Sequence, residues 1–150
     1  MKAGVAQMFE TADAVKGKAP TDLERAIEEN LVPWRDPVLV DAHYMVFRDG
    51  FPVTEGHLLF VPQYNTDIEI MITFRAALEH GKRIQKSEGC DGFNIGINWG
   101  TAAGQTVMYP HIHWIPRDIG DCRDPVGGVR GVISGQANYR TETYRQPGGE

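Results

Sequence analysis

Two stretches of strict alternation, joined by a glycine-rich turn, most narrow what this chain folds into. In GFNIGINW, residues 92–99, Phe93, Ile95, Ile97 and Trp99 share one face, and Asn94, Gly96 and Asn98 share the other, because successive strand side chains point to opposite sides. GTAAGQ then turns the chain into VMYPHIHWIP, where Tyr109, His111, His113 and Ile115 oppose Met108, Pro110, Ile112 and Trp114. Two antiparallel strands thus present asparagine and histidine from one face. His111 and His113 stand about 6.6 Å apart on it, both within reach of one small ligand.

Further strands are expected at VLVD and HYMVFR within residues 38–48 and, after a DGFP turn, at HLLFVP over 57–62. Between residues 65 and 87 the period changes. Ile68, Met71, Ile72, Phe74 and Leu78 follow a helical stripe, and Lys82, Arg83 and Lys86 suit the negative end of its dipole. A short peripheral helix over 22–30 is announced by Thr21 and Glu24, spaced as a capping box, and stopped by Pro33. The fold class is therefore α+β: an antiparallel β-sheet with one long α-helix and a short N-terminal helix. Residues 1–20 read as a poorly ordered lead-in, 21–133 as the domain, and 134–150 as a loop-rich C-terminal tail.

Composition removes several function classes. A formal charge of −5 with scattered Lys and Arg argues against a nucleic-acid surface. No apolar run approaches the ~18 residues of a membrane span, and the amino terminus lacks a secretory pattern. The two cysteines, Cys90 and Cys122, are far apart and outside any CxxC, so neither a disulfide framework nor a cysteine zinc site is expected. The cytoplasm is the expected location.

Paired strand histidines suit metal binding or phosphoryl chemistry. A metal site wants a third ligand, and only His43, His57 and His80 remain, with no HExxH helix to support them. Phosphoryl transfer needs a neutral imidazole beside an anion, the dominant form of histidine at neutral pH. The GTAAGQT turn adds backbone N–H groups, with Gln105 and Thr106 at its end as side-chain donors.

GQTVMYPHIHWIPR, residues 104–117, resembles the signature of histidine triad (HIT) proteins, in which three histidines alternate with apolar residues after a GQ[ST]V turn. FRDGFPVTEGHLLFVP over 47–62 resembles the family's nucleotide-cradling hairpin, and GDCRDPVGGVRGVI resembles the tail of a bacterial branch described as diadenosine polyphosphate hydrolases. The resemblance implies that His111 is the nucleophile, oriented by His113, with His57 as an outer histidine. It also implies that Gln105, Thr106 and Asn98 contact the phosphate, that Asp49 binds the ribose hydroxyls, and that Phe47 lines the base pocket. Asn94 is a weaker candidate beside the phosphate, and Arg117 and Arg130 are candidates for distal phosphates. The partner implied is a nucleotide or dinucleoside polyphosphate, cleaved at the α-phosphorus through a nucleotidyl-histidine. No metal or other cofactor is required, Mg²⁺ entering only with the polyphosphate. A homodimer joining two sheets edge to edge is also implied.

The chain departs from the signature at the first triad position, where Tyr109 replaces histidine and Pro110 follows. Tyrosine keeps a donor and an acceptor but loses a titrating group. Three alternatives stay open: a nucleotide-binding or sensing module without turnover, a nucleotidyl phosphorylase or phosphoramidase, and a metal-dependent hydrolase on the same histidine face.

Overall fold

The computed structural model describes residues 17–142, 144, 145, 147 and 148. Most of the expected lead-in, residues 1–16, lies outside the described residues. Five strands, β1 (Leu39–Val40), β2 (Tyr44–Arg48), β3 (Leu58–Pro62), β4 (Gly92–Ile97) and β5 (Ile112–Arg117), form one antiparallel sheet in the order β1-β2-β3-β5-β4. The α+β architecture expected from the sequence is the one observed.

Helix α2 (Asp67–Lys86) covers one face of the sheet. Below it Val46, Phe60, Ala77, Cys90, Ile112 and Trp114 form a buried cluster, joined by Phe93, Ile95 and Ile97 of β4. The alternation holds over Gly92–Ile97 and Ile112–Arg117, where the apolar set meets the helix and Asn94 and His113 face the other side; Trp99, expected with the apolar set, lies beyond β4 and is 63% exposed. The stripe on α2 differs from expectation. Thr73, Ala77 and Gly81 are its buried residues, whereas Ile68 and Met71 are 73% and 66% exposed. Small side chains four apart let the helix approach closely. At Gly81 a Cβ would stand 2.6 Å from the Phe93 ring, so that ring fills the space of the missing side chain.

Helix α1 (Asp22–Glu28) begins with the expected capping box: the Thr21 amide donates to Glu24 Oε2 at 2.7 Å, and the Glu24 amide donates to Thr21 Oγ1 at 3.2 Å. It is not peripheral. Leu23 and Ala26 are buried with Val32, Trp34, Met45, Phe47, Leu59 and Val61, forming a second core on the opposite face of the sheet. Burial of this size is the main reason such a short helix persists.

β5 begins at Ile112 rather than at residue 107. Pro110 is fully buried and has no N–H for a ladder, so residues 105–111 run as a loop into the strand. No helix among the described residues is long and apolar enough to cross a membrane.

Candidate active site

The sheet face carrying α1 also carries three imidazoles. On β5 His113 pairs with Leu59 of β3 and with Gly96 of β4, whose missing side chain leaves open space beside the ring. His111 sits just before the strand, its ring centroid 5.1 Å from that of His113, and His57 lies 5.2 Å from His113 on the other side. Three of the chain's five histidines thus form a continuous row although the first triad position is tyrosine. His43 pairs with Glu69 at 3.0 Å and His80 packs on Trp114, both away from this row.

Hydrogen bonds fix which nitrogen of each ring holds a proton. The Val53 amide donates to His57 Nδ1 at 3.2 Å. An accepting nitrogen carries no proton, so neutral His57 carries its proton on Nε2 and donates it to His113 Nδ1 at 3.0 Å. His113 then holds its own proton on Nε2, a buried atom with no hydrogen-bond partner among the described residues. His111 is set independently. Its Nδ1 stands 2.9 Å from the carbonyl oxygen of Tyr109, which can only accept, so in the neutral ring Nε2 is the lone pair. A nucleophilic nitrogen and an unpaired N–H donor therefore stand on adjacent rings.

Burial, with the neighbouring His111 and His57, lowers the pKa of His113 to about 4, and burial also lowers that of His57. Asp49 opposes both shifts: its Oδ2 lies 3.6 Å from His57 Nε2 and 3.8 Å from His113 Nδ1, while its Oδ1 accepts the Phe51 amide at 2.7 Å. Asp49, His57 and His113 are spaced as a divalent ion would require. The donor chemistry does not fit one, because the Val53 amide places a proton on the His57 nitrogen that a metal would need.

Trp34 stacks on Phe47 at 6.0 Å and meets the His111 ring edge-on at 5.1 Å. No motif flags it, since it touches His111 only through the tertiary fold. Phe47 is 1% exposed beneath it. Gln105 is buried and its amide is fully used: Oε1 accepts the Gly100 amide at 2.7 Å, and Nε2 donates to the carbonyls of Val107 and Met108 at 3.2 and 3.1 Å. It braces the loop that delivers His111. Thr106 is exposed at its mouth, and Asn98 lines a cavity with His57 and His113. The Tyr109 hydroxyl donates away from the row, to the carbonyls of Pro62 and Gln63 at 2.9 and 3.2 Å, and burial raises its pKa far above the usual phenol value.

A profile of the HIT domain matches residues 35–120, more than half of the chain. The chain belongs to the HIT family. This HIT protein is 38% identical over 81 residues to the adenylylsulfatase HINT3 of Arabidopsis thaliana, the match covering 49% of this chain and 41% of that one. It is 35% identical over 77 residues to the asymmetrical bis(5′-nucleosyl)-tetraphosphatase of Schizosaccharomyces pombe, covering 47% and 42%. It thus spans less than half the length of either relative. The crystal structure of the Plasmodium falciparum diadenosine triphosphate hydrolase superposes with a TM-score of 0.51 at 28% identity, covering 62% of this chain and 68% of that one. The HIT family therefore includes nucleotide hydrolases, some of them acting on dinucleoside polyphosphates.

Proposed function

We propose that this HIT protein hydrolyses dinucleoside polyphosphates or related nucleotidyl conjugates at the α-phosphorus. The observation that carries the reading is the Tyr109 carbonyl on His111 Nδ1, which leaves Nε2 as the lone pair. That nitrogen forms the N–P bond while the P–O bond to the leaving group breaks. The electron pair departs on a polyphosphate oxygen, which needs no proton to leave. The ring becomes cationic on nucleotidylation, and the same carbonyl stabilises it. The Nε2 of His113 is buried and has no partner among the described residues, which supports a phosphate oxygen seated against that ring as its acceptor. Water then attacks phosphorus, the N–P electron pair returns to Nε2, and the water proton passes to solvent.

In this reading His111 is catalytic and His113 donates to the phosphate. His57 and Gln105 position them, and Asp49, Asn98 and Thr106 contact ribose and phosphate. No metal is required for the transfer. β4 is a sheet edge, and Trp99 at its end is 63% exposed, which supports a homodimer joined along that strand. Both cysteines are free, in keeping with a cytoplasmic protein. The second reading, nucleotide binding without turnover, draws on Tyr109.

The deciding experiment is product analysis after incubating wild type and His111→Ala with diadenosine tetraphosphate, with and without EDTA. AMP release that needs His111 and survives EDTA supports the nucleotidyl-histidine route. Binding without release selects the second reading, and loss with EDTA would reinstate a metal.

A further inference from the structure

The tail motif GGVRGV builds a wall that the catalytic row alone does not explain. Residues Gly128–Val132 form a 3₁₀ turn packed on β4. Gly127 enters it at φ 90°, with its Cβ position 1.9 Å from the Ala137 carbonyl oxygen, an approach open only to glycine. Arg130 closes the loop by donating to the carbonyls of Ala137 and Gln136 at 3.2 and 3.3 Å, and its guanidinium lies 5.4 and 5.6 Å from the Tyr139 and Tyr144 rings. Arg117 donates to Asn94 at 2.8 Å and is paired with Asp121 at 2.7 Å. Both arginines are engaged within the fold, Arg117 with Asn94 and Asp121 and Arg130 with the 136–139 segment.

Between this wall and the 51–53 turn lies a cavity of about 440 Å³ with His57 and His113 in its lining. Asn94 and Asn98 also line it, and Phe51, Val53, Val129 and Val132 form apolar rims at 93%, 70%, 61% and 79% exposure. Among the described residues no Asp, Glu, Lys or Arg side chain lines it. A polyphosphate would find no cation there. A flat uncharged ring with edge donors and acceptors would gain apolar contact from both rims and a hydrogen bond from the Asn94 amide, while Asn98 stays with the phosphate at the inner end.

We infer that this cavity is a leaving-group subsite that takes the nucleobase of the departing half of the substrate, between the Phe51–Val53 turn and the Gly128–Val132 turn. The inference rests on the function proposed above and deepens it. The cavity shares His57 and His113 with the row, and the His111 ring lies 5.1 Å from that of His113, so a leaving chain released at His111 has this cavity as its neighbour. The tail is a specificity wall for this reaction.

The test compares diadenosine tetraphosphate with adenosine 5′-tetraphosphate, which keeps the transferred half and phosphate chain but lacks the leaving nucleoside. Val132→Asp places a charge in the rim, and Phe51→Ser removes a ring whose exposure makes the change safe for folding. In both variants the ratio of kcat/KM for the dinucleotide over the mononucleotide should fall roughly tenfold, through KM, the scale of one lost base contact. An unchanged ratio overturns the subsite. Equal weakening of both substrates also overturns it, because the cavity would then hold the transferred nucleoside or act only on folding. Wild type that turns over neither substrate removes the proposed function and this inference with it.

Discussion

His57 Nε2 stands 3.0 Å from His113 Nδ1, and the backbone amide of Val53 dictates that the proton between them belongs to His57. His57 is thus a positioning residue that fixes the orientation and tautomer of His113. His57→Ala frees His113 to rotate and to place its proton on either nitrogen. A fall in kcat of about 10–100-fold with KM nearly constant is expected, the usual scale for such supporting contacts. His57→Gln, which retains a side-chain N–H donor, should recover part of it. Steady-state kinetics of the two variants check the claim, and equal loss in both would mean that His57 acts through packing.

Much of this arrangement was legible in the sequence because it depends on neighbours along the chain. The capping box at Thr21 and Glu24, the alternation of β4 and the 111/113 pair are all local patterns. What escaped was tertiary. The buried line of α2 is Thr73, Ala77 and Gly81, which hydropathy ranks below Ile68 and Met71; the close approach that selects small residues appears only when Phe93 is in place. Trp34 reaches His111 across 77 positions, and the Arg130 contacts exist only once the tail has folded back on Ala137. Gln105 looked like a phosphate donor because its type suits one, but loop carbonyls already take its protons.

Tyr109 contributes its carbonyl, not its hydroxyl, to His111. Tyr109→Phe should therefore lower kcat by less than about threefold while costing about 1–2 kcal/mol of stability, since two carbonyls lose a buried donor. Urea unfolding and turnover of diadenosine tetraphosphate measure the two effects separately. A kcat loss exceeding the stability effect would place the hydroxyl in the reaction.

Gly81→Ala drives a methyl into the Phe93 ring. The ring packs between α2 and Trp114, its centroid 6.3 Å from that indole, so it yields only by giving up part of that contact. Destabilisation of about 1–3 kcal/mol is expected from overpacking. Phe93→Leu in the same chain should return part of it, so the two changes are non-additive in denaturant titrations.

Acid should unfold this protein through the imidazole row. Above pH 6.5 both the folded and the unfolded chain hold His113 neutral; between 6.5 and about 4 only the unfolded chain takes the proton readily. The unfolded state then binds more protons, and stability falls as pH falls through that window. His57 and His80, also lowered by burial, act in the same direction, whereas His43, raised by its hydrogen bond to Glu69, opposes them weakly from an exposed position. The His113 shift is the one that sets this window. His113→Gln removes the titrating group without removing all hydrogen-bonding capacity, so its unfolding free energy should vary less over the same range. Urea titrations at half-unit pH steps compare the two slopes, and identical slopes would assign the acid sensitivity to other groups.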